Sequence, residues 1–427
     1  MRPLCLATVL GNALLTSASL AVGATEALTT ETAAAMARDI ATRVERIRGA
    51  RFDRPVSVKV VDDATARTHF RARLLKFWPE DQVRHDQRVY QQLGLLPTGT
   101  DLMKTLLDVL EEQAGAYYDP DSDTFFVLND APRSTAPILM AHELTHALDD
   151  QRFSIDATLN RIKDDDDRAT AYSAVVEGSG TIVMSLFLME EMQAGHIGPS
   201  AIADLQKSEA GQAARLLAAA PILQRSLLGP YQLGQSFLLH GDPHQLGTFR
   251  AGDVDRAFAS PPVSTEQLIH PEKYWDHARR DLPRSVMLPD LAASIGPGWK
   301  QVANGTLGEL VLAVMTGLGG VDLGSTASAR PENWTTRAAS GWAGDLYQHY
   351  TDGKKAITIQ IAVWDTAEDA AEFATALKPL PGRSAFRRMD TTVVVAGDLT
   401  STPEALAETV FTALSAKRAG PLAKPKP

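Results

Sequence analysis

The pentapeptide His142-Glu143-Leu144-Thr145-His146 constrains this chain more than any other feature in it. Histidines four apart on a helix lie on one face and can grip a single zinc ion, while the glutamate between them stays free to draw a proton from a water molecule. The flanking residues suit a helix. Ser134 and Thr135 offer N-cap oxygens, Pro137 fits the first turn, and no glycine or proline interrupts residues 138–151. At about 100° per residue, Met140, Leu144, Ala147 and Leu148 fall opposite the two histidines, so one side of this helix is predicted to pack and the other to carry chemistry.

A catalytic zinc takes three protein ligands and keeps one position open. From Ala171 to Met189 the chain is apolar on nearly every side of a helical wheel, and Glu177 is the only charged residue in the run. A buried carboxylate without a partner costs several kcal/mol or stays protonated, so Glu177 calls for a cation. Gly178 and Gly180 each cost about 1 kcal/mol of helix propensity relative to alanine, which makes sense if this helix approaches another backbone closely. Two other readings of the run stand beside this one: a transmembrane span, and a core helix whose glutamate meets an arginine.

The motif HELTH followed by a helix bearing Glu177-Gly178 resembles the gluzincin class of zinc metallopeptidases over residues 115–190. The resemblance implies a zincin-like catalytic core, a zinc ion held by His142, His146 and Glu177, Glu143 as general base, and a peptide or protein substrate. Gluzincins carry an edge strand just before this helix, and the sequence TFFVL at 124–128 is matched to it. The segments PPVSTEQLIHPEKY at 261–274 and GWAGDLY at 341–347 resemble a poorly characterised group of exported bacterial metallopeptidases with a VEGDAT-type third-ligand motif. Ser179 and Gly180 stand where that group has aspartate and alanine, which keeps the ligand but removes the acid after it. Hydrolysis also calls for a donor to the developing oxyanion. His270 is the leading candidate, with Tyr274 one turn on and Tyr231 behind it; His240, His244, His196 and His277 rank lower.

Composition bounds the rest. The 427 residues are 44% hydrophobic and 22% charged, enough for two or three globular domains, and a net charge of −10 argues against a nucleic-acid partner. Arg2, the weakly apolar stretch from Leu4 to Val22 and the small residues Val22-Gly23-Ala24 read as a secretory signal cleaved before Thr25. Gly11 and Asn12 make the same stretch a poor membrane anchor. Cys5, the only cysteine, would leave with the signal, and the mature chain would have no disulfide. A secreted or periplasmic location follows as the expectation.

The predicted fold is α+β and mostly helical, a zincin-like catalytic core with a small C-terminal β-β-α-β-α module. Residues 1–24 are the signal, 25–115 a helical region with one strand at 55–61, and 116–290 the catalytic domain. Residues 291–335 form a helical connection, 336–415 the C-terminal module, and 416–427 a disordered tail. Residues 227–262 read as loops and short helices, Ser264 with Gln267 as a capping box, and Asp365 with Glu368 as another. Asp352-Gly353 marks a hairpin. Asp119, Asp121 and Asp123 alternate like the start of a calcium loop but lack its glycine, which favours a polar turn; Asp164 to Asp167 read as the cap of the Glu177 helix. The function expected is zinc-dependent peptide hydrolysis. The alternatives are a catalytically silent, zinc-stabilised binding or assembly factor of the cell envelope, and a hydrolase of a non-peptide amide.

The mature chain is expected to begin near Thr25 and to contain no cysteine. N-terminal sequencing of protein recovered from its native host checks this, and a cytosolic chain starting at Met1 contradicts it.

Overall fold

The computed structural model describes residues 28–113, 116–129, 136–198, 214–323, 325–399 and 402–418. The signal segment 1–24, the N-cap candidates Ser134 and Thr135, and residues 419–427 of the tail lie outside them. Helix α1 (Thr30–Arg48) starts at a capping box between Thr29 and Thr32 and buries Ala33, Ala37, Ile40 and Val44 along one stripe. Strand β1 (Ser57–Val61) follows, then helices α2 (Asp63–Phe77), α3 (Glu80–Leu93) and α4 (Leu102–Gln113). Strands β2 (Ala116–Asp119) and β3 (Thr124–Leu128) form a hairpin, and β1 adds in parallel to its far side, Ser57 opposite Thr124 and Val61 opposite Leu128.

The sheet order β1-β3-β2 corrects one expectation. The segment 124–128 is the central strand and not the edge; the edge beside the next helix is β2. Pairing with a strand more than sixty residues upstream in sequence decides this, and no local pattern in TFFVL carries that information.

Helix α5 (Ala136–Phe153) carries HELTH, α6 (Ile155–Ile162) is short, and α7 (Asp166–Gln193) carries Glu177. Both α5 and α7 are buried on nearly all sides, so the histidine face of α5 is enclosed too. By length and composition α7 could cross a membrane, yet 72% of its most apolar window is buried inside the protein. Asp165 caps its first turn by accepting the Arg168 N–H at 3.2 Å, as predicted for the acidic run. After α8 (Ala214–Ala218), helix α9 (Pro221–Leu238) lies against α7. A Cβ on Gly178 would come 2.4 Å from the Gly234 carbonyl carbon, and one on Gly234 would come 2.0 Å from the Ala174 oxygen. Only glycine at both positions allows this approach.

The run of α9 to Leu238 corrects the reading of 227–262 as loops and short helices over its first twelve residues, which belong to a long helix. Gly229 and Pro230 suggest a break, and an internal proline costs about 3 kcal/mol. Burial outweighs that here: Leu227, Leu228, Leu233, Phe237 and Leu238 are all in the core, and Gly229 fits under the Trp334 ring.

Helices α10 (Ala251–Ala259), α11 (Thr265–Ile269) and α12 (Glu272–Trp275) complete the helical layer, and Ser264 caps α11 as predicted, accepting the Gln267 N–H at 3.3 Å. Strand β4 (Arg284–Met287) and helix α13 (Ala292–Ile295) lead into the second sheet, built from β5 (Lys300–Gly305), helix α14 (Gly308–Met315), β6 (Trp342–Thr351), β7 (Ala356–Trp364), helix α15 (Ala367–Ala376), β8 (Arg383–Arg388) and β9 (Thr391–Gly397). It is antiparallel throughout, in the order β5-β6-β7-β9-β8.

The protein is α+β, but the C-terminal module holds two strands beyond the predicted β-β-α-β-α. KQVANG in β5 has no run of β-branched or aromatic residues, and RSAFRR in β8 is a charged edge strand with no fully buried residue. The supposed helical connection therefore contains a strand. Thr366 with Asp369, one residue beyond the predicted pair, caps α15. After α16 (Pro403–Ala413), residues Ser415–Arg418 form β10, paired antiparallel with β4, where a disordered tail was expected from 416.

Gly234→Ala is expected to destabilise the protein by about 3 kcal/mol or more, because its methyl meets backbone that cannot move aside. Denaturant unfolding against wild type measures it; a change within about 0.5 kcal/mol contradicts the packing described.

Candidate metal centre

Helices α5 and α7 bring His142, His146 and Glu177 together, and one ligand atom from each lies within 4.8 Å of the others. Glu177 Oε2 is 3.1 Å from His142 Nε2 and 3.3 Å from His146 Nε2. Bonds of about 2.0–2.1 Å in a zinc tetrahedron put ligand atoms about 3.3 Å apart, so these separations are those of a tetrahedron's edges. His146 Nε2 is not aligned for a hydrogen bond despite its distance, and it and Glu177 Oε1 are buried without a partner. His142 Nε2 and Glu177 Oε2 are within hydrogen-bonding distance of each other, and the unsatisfied His146 Nε2 and Glu177 Oε1 beside them suit a cation. Gly180 makes room for the centre, since a Cβ there would come 2.7 Å from the His142 ring.

Burial opposes charge on all three groups. Even so, Glu177, aided by Glu143 and Asp149, lifts the His146 pKa to about 9, while burial and the neighbouring His146 push His142 down to about 4. Burial alone would raise Glu177; the two histidines hold it below its ordinary value. The cluster thus gathers positive charge around an enclosed carboxylate, a demand that a divalent cation also meets.

Glu143 is fully buried, and its Oε2 accepts the backbone N–H of Tyr118 on the edge strand β2 at 2.8 Å. Tyr231, on α9 just after Pro230, stands beside the centre with its ring centroid 6.1 Å from that of His142. Burial, then the Glu177 and Glu143 charges, keep its hydroxyl protonated, as a hydrogen-bond donor must be. The crevice next to His146 has a volume of about 10 Å³ and is lined by Tyr118, Asp150, Ile155 and Val176 among others. That is room for one water. The Tyr118 hydroxyl shares its one proton between Asp123 at 2.8 Å and Asp150 at 3.2 Å.

The structure does not bring His270 to this centre. Its Nε2 lies 3.1 Å from Oε1 of the buried Glu309, and it lines a separate cavity of about 570 Å³ with His240, Trp275 and Thr335. Tyr274 is spoken for as well, donating to the Ser260 carbonyl at 2.6 Å. The acids after β2 meet cations of the chain itself: Arg73 bonds Asp119 at 2.9 Å, Lys76 bonds Asp121 at 2.6 Å, and Arg54 pairs with Asp123. This is the polar turn and not a calcium loop. A second acidic group, Glu266, Asp281 and Asp365, surrounds the Lys273 ammonium, which lies 2.6 Å from Glu266.

Sequence reasoning missed two participants. Tyr118 could not be placed without knowing which strand is the edge. Asp149, one turn after His146, accepts the Ser179 hydroxyl at 2.6 Å and the Arg48 Nε–H at 3.0 Å, all three side chains being fully buried. An acid three residues beyond the second histidine of the motif was the available signal.

A family described as a domain of unknown function (DUF8575) matches residues 297–409, which span the second sheet from β5 into α16 and leave the metal centre outside. No curated protein and no solved structure matches the chain.

Proposed function

We propose that the chain is an exported, zinc-dependent peptidase of gluzincin type, with a zincin-like core around α5 and α7. The observation that carries this reading is the single Glu177 oxygen at 3.1 and 3.3 Å from the two His-x-x-x-His imidazoles, with Glu143 between them. His142, His146 and Glu177 would hold the ion. Zinc, when bound, supplies Lewis acidity, polarising a carbonyl and bringing the pKa of a water towards about 7. Glu143 takes a proton from the attacking water as the new C–O bond forms, and gives it to the amine nitrogen as the C–N bond breaks. The Tyr231 hydroxyl donates to the oxygen that gains negative charge.

One observation favours a second reading, a silent zinc-stabilised binding or assembly factor: the enclosure of the centre, with a crevice of only about 10 Å³ at His146. Zinc analysis together with turnover on an unfolded protein substrate separates the two.

Glu143→Gln is expected to keep about one equivalent of zinc and to lose turnover by several orders of magnitude, whereas Glu177→Ala loses the metal itself. Full turnover in the first variant, or undiminished zinc affinity in the second, contradicts the assignment. Tyr231→Phe is expected to lower the turnover number about a hundredfold with little change in KM, the effect of removing one oxyanion donor worth about 3 kcal/mol. His270→Ala, in contrast, should lower the melting temperature by taking one side-chain partner from the buried Glu309, which keeps Thr335, and leave turnover close to wild type. The reverse pattern would return the oxyanion role to His270.

A further inference from the structure

The two ligand-bearing helices touch at more than the ligands. On α7, Glu177 and Ser179 are about 200° apart around the axis, and Gly180 falls between them on the arc that faces α5. Glu177 meets His142 and His146 on one flank, Gly180 makes room for the His142 ring, and the Ser179 hydroxyl donates to Asp149 on the other flank at 2.6 Å. Asp149 is held in turn by Arg48 from α1 at 3.0 Å, and Arg48 Nη2 reaches Asp255 on α10 at 2.7 Å. A helix gripped on one flank can roll; gripped on both, it cannot. Side chains lie about 5–6 Å from a helix axis, so a roll of about 10° displaces the Glu177 carboxylate by about 1 Å. Metal–ligand distances tolerate about 0.2 Å.

We infer that Ser179, Asp149 and Arg48 form a clamp that sets the roll of α7 against α5 and so positions Glu177 for the metal, without touching the metal or the substrate. The inference rests on the zinc reading above. Ser179 is its lever because its hydroxyl is the one group of α7 in the clamp, and because its loss leaves the Arg48–Asp149 ion pair intact. A short polar side chain is also what the geometry calls for. A carboxylate at 179 would stand against the Asp149 carboxylate, two buried like charges served by the same arginine.

The test measures zinc affinity by competition with a chromophoric chelator, the d–d spectrum of the cobalt-loaded protein, and the melting temperature of the metal-free protein. Ser179→Ala is expected to bind zinc about 10- to 100-fold more weakly and to shift the cobalt spectrum, with the metal-free melting temperature within a few degrees of wild type. Ser179→Thr, which keeps the hydroxyl, is expected to recover affinity to within about threefold. Unchanged affinity in Ser179→Ala overturns the clamp and leaves the zinc reading standing. So does a loss of affinity that merely follows a collapse of the metal-free melting temperature, or that Ser179→Thr shares in full. Failure of the wild-type protein to bind zinc would sink the zinc reading, and the clamp with it.

Discussion

One carboxylate sets the terms for the architecture around it. Glu177 is fully buried in the longest described helix, where an unpaired charge would cost several kcal/mol. Two imidazoles are brought to it, and bringing them requires α5 to lie along α7 with a glycine where the His142 ring must fit. Helix α9 closes the other side of α7 through the Gly178–Gly234 contact and delivers Tyr231 to the centre. The helices are therefore spaced by glycines, groups too small to hold them apart.

The second sheet is tied to this layer by buried carboxylates. Asp345 of β6 accepts the N–H groups of Leu307 and Gly308 at the start of α14, at 2.8 and 2.9 Å. Asp167, in the first turn of α7, accepts from Thr265 at the start of α11 at 2.6 Å. Gly308, at φ +76°, passes so close to Asp167 that a side chain there has no room. The first turn of the Glu177 helix, the start of α11 and the entry to the second sheet thus meet at one place. The matched family covers only the sheet side of that junction, which divides the chain along a plane the hydrogen bonds cross.

The clustering of His142, His146 and Glu177 was legible in the sequence because its signals are local: a four-residue spacing on a helix, and a lone charge in an apolar run. What escaped was long-range or overridden. The place of β3 at the centre of its sheet depends on β1, far upstream, and so the edge strand was assigned to the wrong half of the hairpin. Gly229-Pro230 reads as a break, yet the core on all sides of α9 carries the helix through it. β8 escapes because three arginines in six residues look nothing like a strand, although an edge position tolerates them. His270 looked placed for catalysis at its helix entrance, but Glu309, 39 residues downstream, claims its ring.

Tyr118 gives the enclosed centre a consequence of its own. Its backbone N–H occupies a Glu143 oxygen, its hydroxyl bonds Asp123 and Asp150, and it lines the crevice beside His146. One residue thus ties the wall of that crevice to Glu143, so a displacement of Tyr118 at the wall would be felt at the glutamate as well.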